Sequence, residues 1–84
     1  MKGKYLLEVH LPATGQHFDV WVAKGLQVQS CIRLFSTTFE ELTLGRFQPG
    51  EDTTLCDFET GAIFDASLCM GDLELRDGSR VLLI

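Results

Sequence analysis

Two residue types in this chain have side chains that could support metal or redox chemistry, and cysteine is one of them. The three cysteines, Cys31, Cys56 and Cys69, are odd in number and widely spaced. They therefore form neither a disulfide framework nor the Cys-x-x-Cys spacing that is typical of zinc and iron–sulfur sites. We interpret them as reduced thiols that are mostly buried, because free cysteine is among the most buried residue types.

Two histidines, His10 and His17, are the second candidate for chemistry. They face each other across a predicted hairpin, where they could bind a metal ion or respond to pH near neutrality. A metal site would need Glu8 or Asp19 as a further ligand, since zinc usually has three or four protein ligands. Two solvated imidazoles near a turn are the favoured interpretation, and we expect neither a metal nor a cofactor.

The chain contains no recognisable catalytic motif. No serine or cysteine lies in a nucleophile context, and no two carboxylates have a spacing that defines an acid–base pair. A domain of 84 residues with a filled core also leaves little room for a deep pocket. We therefore predict that the protein is not an enzyme.

Composition and charge narrow the remaining functions. The net charge is −5, from 12 acidic and 7 basic residues without a basic cluster, so nucleic acid is not expected as a ligand. The apolar share of 45% indicates a folded core. No apolar run approaches the roughly 20 residues that cross a bilayer, and the first ten residues do not resemble a signal peptide. We predict one domain, residues 1–84, that is cytoplasmic or is a soluble part of a larger protein.

Two alternating runs, KYLLEVHL and HFDVWV, predict a β-hairpin around the loop at residues 12–15. A four-residue loop pairs Leu11 with Gln16 and keeps the apolar residues of both strands on one face. The opposite face then pairs Leu6 with Trp21, Glu8 with Asp19 and His10 with His17. Because like charges across a strand pair are destabilising, we expect Arg80 of the last strand to lie near Glu8 and Asp19.

From Val28 onward the apolar residues recur every three or four positions, which predicts one amphipathic helix of about four turns. Its apolar stripe comprises Val28, Cys31, Ile32, Phe35, Phe39 and Leu42, and Gly45 is the expected C-terminal cap. Beyond it, TTLCDF and AIF predict a second hairpin. The segment DASLCMGDLEL predicts a loop with one helical turn that directs Leu68, Leu73 and Leu75 toward the core, and SRVLLI predicts the last strand.

The element order β-β-α-β-β-β predicts an α+β fold of the β-grasp type. About five strands form a mixed sheet that packs on one main helix, with the last strand beside the first. An uninterrupted apolar strand such as SRVLLI is expected inside a sheet, flanked on both sides. We expect Val81 and Leu83 to point toward the helix, and Leu82 and Ile84 toward the outer face of the sheet.

The segments KYLLEVHLPATGQHFDVWV and TTLCDFETGAIF, with the ending DGSRVLLI, resemble the ubiquitin superfamily over essentially the whole chain. More narrowly, they are similar to the small bacterial ubiquitin-like proteins of the YukD/EsaB type. The resemblance implies an accessory or regulatory role in type VII secretion of Gram-positive bacteria, and a membrane-associated secretion component as one candidate partner. Ubiquitin and the sulfur carriers act through a C-terminal Gly-Gly, whereas this sequence ends in Leu83-Ile84. We therefore expect that the protein is not conjugated, and a modifier or sulfur carrier is the alternative.

The outer sheet face is the predicted site of protein binding. Leu6, Trp21, Leu82 and Ile84 are expected to cluster there, and the resemblance to ubiquitin places Leu82 and Ile84 on ground comparable to its main binding patch. An aromatic anchor with aliphatic neighbours is typical of interaction hot spots. We predict a protein partner on this face, with self-association through the same face, as a structural homodimer, as the alternative.

Overall fold

The computed structural model describes residues 2–84 and contains the first predicted hairpin in the predicted register. Strand β1 (Lys4–Leu11) runs antiparallel to β2 (Gln16–Ala23). Leu11 lies opposite Gln16 and Leu6 opposite Trp21, as predicted. The chain reverses through Gly15, whose φ of 73° favours glycine and whose N–H donates to the Leu11 carbonyl at 2.9 Å. The four-residue loop therefore sets the register.

Helix α1 (Val28–Leu42) packs one face against the sheet. Its buried residues are Val28, Cys31, Phe35 and Phe39. Leu42, which was predicted to complete this stripe, is 55% exposed, because Thr43, four residues after Phe39, takes the buried position at the end of the helix. The C-cap is Thr43 and not the predicted Gly45. Leu44 follows with a φ of 54°, and Gly45, with a φ of 81°, donates its N–H to the Glu40 carbonyl at 2.8 Å, so the glycine still helps to end the helix. No helix in the described part of the chain has the length and apolar character of a membrane span.

The sheet has four strands in the order β2-β1-β4-β3, with β3 at Leu55–Asp57 and β4 at Ser79–Leu83. Strand β4 lies parallel to β1 and antiparallel to β3, so the last strand is internal, as predicted. Val81 is fully buried and Leu83 nearly so, and both join the core on the helix side. The apolar character of β4 follows from this position between two strands.

The predicted fifth strand, at residues 62–64, does not form. The expected hairpin is reduced to a single bridge between Cys56 and Ile63, supported by a hydrogen bond from the Phe64 N–H to the Leu55 carbonyl at 2.9 Å. Ile63 is 69% exposed. Of residues 62–64 only Phe64 packs against the core, which is too little burial to stabilise a strand. The observed order is therefore β-β-α-β-β, with one 3-10 turn before the last strand.

The predicted helical turn in the long connection before β4 forms as a single 3-10 turn, Met70–Asp72. Met70 is fully buried, whereas Leu68 is 40% exposed, so the expectation that Leu68 enters the core is wrong. Leu73 and Leu75 pack against the core as predicted. The Met70 N–H donates to the Leu26 carbonyl at 2.8 Å, and its carbonyl accepts the hydroxyl of Tyr5. These bonds hold the connection against β1 and the start of α1.

Candidate functional site on the outer sheet face

The outer face of the sheet places the four predicted site residues in two pairs. Leu6 lies directly across from Trp21, whose side chain is 51% exposed. At the other end Leu82 lies beside His10 in the β1–β4 register, and Ile84, also on this face, is 53% exposed.

The two pairs are separated along β1. Leu6 and His10 are four residues apart, which corresponds to about 13 Å at roughly 3.3 Å per residue. The residues thus share one face of the sheet, as expected, but form an apolar patch at each end in place of one cluster. We call these patches the Trp21 end (Leu6 and Trp21) and the Leu82 end (Leu82 and Ile84).

Carboxylates occupy the middle of the face, between the two ends. Glu8 lies opposite Asp19, and the carboxylate of Glu8 accepts a hydrogen bond from Nε2 of His10 at 2.6 Å. This bond, helped by weaker attraction from the histidines and from Arg80, lowers the pKa of Glu8 below its usual value. Asp19 forms no ion pair with any residue between 2 and 84.

Arg80 lies next to Glu8 in the strand register, as expected, but its guanidinium points toward β3. It pairs with Glu59 at 2.5 Å and lies 4.5 Å from the ring centroid of Phe58. The predicted relief of the Glu8–Asp19 repulsion therefore comes first from His10, and only weakly from Arg80. The sequence analysis did not assign Phe58 to this site, although an aromatic residue at the end of a predicted strand could have indicated a surface contact there.

The two histidines stack on each other, with ring centroids 4.9 Å apart, and His10 also contacts Phe58 at 4.6 Å. Within residues 2–84, no three His, Cys, Asp or Glu side chains lie close enough together to hold a metal ion. A shallow cleft of about 220 Å³ lies beside this stack and is lined by His10, Pro12, Phe58 and Leu82, among others. The Leu82 end is therefore a concave apolar surface with an aromatic wall.

The three cysteines are free thiols and lie outside the outer-face site. Cys31 and Cys56 are buried and Cys69 is partly buried. Burial raises the pKa of the Cys31 thiol to about 12, so this sulfur is protonated at neutral pH.

A second apolar concavity, which sequence reasoning missed, lies between β2 and α1. It has a volume of about 490 Å³, and its lining residues include Val20, Trp21, Leu26, Leu34 and Phe35. Only the folded structure reveals it, because its two walls come from separate elements.

Comparisons with known proteins identify the fold. No family model matches the sequence, and no curated protein matches it significantly. Among solved structures, the ubiquitin-like domain of the Mycobacterium tuberculosis type VII secretion system protein ECCD1 has a TM-score of 0.77 at 10% identity, over 96% of this chain and 97% of that one. Caldiarchaeum subterraneum ubiquitin has a TM-score of 0.70 at 18% identity, over 98% and 92%.

A further similar structure is the MycP5-free ESX-5 inner membrane complex, with a TM-score of 0.71 at 16% identity. The match covers 98% of this chain but 21% of that one, so the likeness concerns one domain of a much longer protein. The chain therefore has the β-grasp fold of ubiquitin-like domains, with a four-stranded mixed sheet on one helix.

Proposed function

We propose that this protein is a non-enzymatic, ubiquitin-like protein-binding module that serves as an accessory or regulatory component of bacterial type VII secretion. The fold likeness to the ECCD1 ubiquitin-like domain and to a domain in the ESX-5 inner membrane complex supports this context. We propose a YukD/EsaB-type role in the cytoplasm, with a membrane-associated component of the secretion machinery as the partner.

One observation carries the binding role: Trp21 is 51% exposed beside Leu6 on the open face of the sheet. Tryptophan is among the residues that contribute most to protein interfaces, and its apolar surface is stabilised when a partner covers it. Ile84 at the other end is exposed to the same extent, at 53%. We therefore assign binding to this face, through Leu6, Trp21, Leu82 and Ile84.

We further propose that the protein acts through this surface without being conjugated. The residues of β4 lie inside the sheet, and Ile84 is held to Thr54 by two backbone hydrogen bonds of 2.6 and 3.0 Å. Leu82 and Ile84 are thereby held in place on the outer face of the sheet. A modifier or sulfur carrier is the alternative, and adducts to lysine side chains in cellular mass spectrometry would favour it.

Cross-linking in cells tests the proposed function. The wild type is compared with Trp21→Ala and with Leu42→Ala, a matched control in which an equally exposed apolar residue is removed from α1. We expect cross-links to components of the secretion machinery in the wild type and in Leu42→Ala, and their loss in Trp21→Ala. Cross-links that persist in Trp21→Ala would contradict the assignment. If the wild type sediments as a dimer and Trp21→Ala as a monomer, the face joins two copies of this chain.

A further inference from the structure

The middle of the outer face carries two carboxylates between two apolar ends: Glu8 accepts a hydrogen bond from His10 at 2.6 Å, and Asp19 forms no ion pair among residues 2–84. Glu8 and Asp19 lie directly opposite each other there. Arg80, the nearest cation on the adjoining strand, is already paired with Glu59. Lys4, which also lies on this face, is beyond Leu6 at the far side of the Trp21 end. Along β1 the face is therefore apolar at the Trp21 end, acidic in the middle and apolar at the Leu82 end.

The spacing of these surfaces sets the spacing of the groups that would bind them. The two apolar ends are about 13 Å apart along the strand direction. An α-helix rises about 1.5 Å per residue, so this distance corresponds to roughly eight or nine helical residues. Residues nine positions apart lie on opposite helix faces, whereas residues seven or eight positions apart, which span about 10–12 Å, share one face; the residue about four positions after the first lies between them.

The backbone of the sheet explains why the occupant is a helix. Strands β1 and β4, which form the middle of the face, are paired on both sides and offer no backbone partners. An extended segment that lay across this face would leave its own N–H and C=O groups unpaired, whereas a helix satisfies them internally. An amphipathic helix also presents its side chains as one stripe, which matches a flat face.

We propose that the outer face binds an amphipathic helix of the partner protein that has two apolar residues seven or eight positions apart and a lysine or arginine midway between them. One apolar residue contacts Leu6 and Trp21. The other enters the cleft of about 220 Å³ at the Leu82 end, whose size suits an aliphatic side chain. The basic residue pairs with Glu8 and Asp19. This inference rests on the proposed binding role of the same face and adds the chemistry of its partner.

Two synthetic peptides of about 18 residues test the inference. Both consist mainly of alanine and glutamine with leucines eight positions apart; the first has two lysines midway, and the second has two glutamates there. Trp21 is the only tryptophan, so its fluorescence reports binding directly, and backbone chemical shifts locate the contact. We expect the lysine peptide to bind roughly fivefold more tightly at low salt, as for a small number of exposed charge pairs. The preference should shrink in 0.5 M salt because exposed charges are screened.

Two variants with equal loss of charge provide the controls. Glu8→Gln combined with Asp19→Asn should abolish the preference for lysine, while Glu40→Gln combined with Glu41→Gln, on exposed positions of α1, should leave it intact. Equal binding of the two peptides, binding of neither, or a preference that survives the loss of Glu8 and Asp19 charge would overturn the inference. The proposed function is decided separately, by the effect of Trp21→Ala on cross-links in cells.

Discussion

Among the buried side chains of residues 2–84, Thr43 is the one that is polar. Its hydroxyl links the last turn of α1 to the segment that follows the helix. The hydroxyl donates to the Phe39 carbonyl at 2.7 Å and accepts the Phe47 N–H at 2.9 Å. Phe39 and Phe47 are both core residues. Replacing Thr43 with valine preserves shape and volume but removes these two hydrogen bonds and a longer one from the hydroxyl to the Glu40 carbonyl at 3.4 Å.

The cost of Thr43→Val arises mainly from one amide. The Phe39 carbonyl keeps a partner, because the N–H of residue 43 still donates to it at 3.0 Å. The Phe47 N–H is left buried without an acceptor, which costs about 1–3 kcal/mol. The added apolar methyl offsets up to about 1 kcal/mol. We therefore expect the free energy of unfolding to fall by about 1–2 kcal/mol, equivalent to roughly 4–16 °C in Tm for a domain of this size.

Urea unfolding monitored by Trp21 fluorescence measures this change, and the m-value should not alter. Hydrogen exchange of the Phe47 amide identifies the cause: protection should fall in Thr43→Val and persist in Thr43→Ser. The serine control keeps the hydroxyl and loses only a methyl group. A Thr43→Val variant with wild-type stability and a protected Phe47 amide would refute the reasoning.

Two further predictions concern ionisable groups. The pKa of Glu8 lies below 4.5 in the folded protein because His10 donates to its carboxylate; its stabilising contribution is complete above pH 4.5 and is lost as the pH falls through the lower folded value. In an NMR titration, His10→Ala should raise the Glu8 midpoint toward 4.5, and an unchanged midpoint would contradict this cause. Because burial raises the pKa of Cys31 to about 12 and Cys56 is also buried, iodoacetamide at pH 8 should alkylate Cys69 first and the other two only after unfolding. Equal rates for all three in the native protein would exclude this arrangement.

The first hairpin and helix α1 show how far local patterns extend. The β1–β2 register was predictable because a four-residue loop joins two strands whose alternation allows one pairing that buries a complete apolar face. The helix was predictable because its period and Gly45 mark its core face and its end. The absence of a strand at Ile63 was not predictable, because a run of three apolar residues has the same pattern whether its side chains are buried or exposed in the folded protein.

The division of the outer face into two apolar ends depended on the register of β4 against β1. A shift of two residues leaves every side chain on the same face, so alternation assigns Leu82 and Ile84 to the outer face but not to a position along it. The structure places Leu82 beside His10, about 13 Å from Leu6.

The sequence by itself therefore determined which residues are apolar on each face of each element, because periodicity is a local property. Only the tertiary structure decided which of those residues lie together. The β1–β4 pairing, the burial of Met70 in place of Leu68 and the direction of Arg80 toward Glu59 all join parts of the chain that are distant in sequence. Such contacts are selected by the packing of the whole core, which a local pattern does not encode.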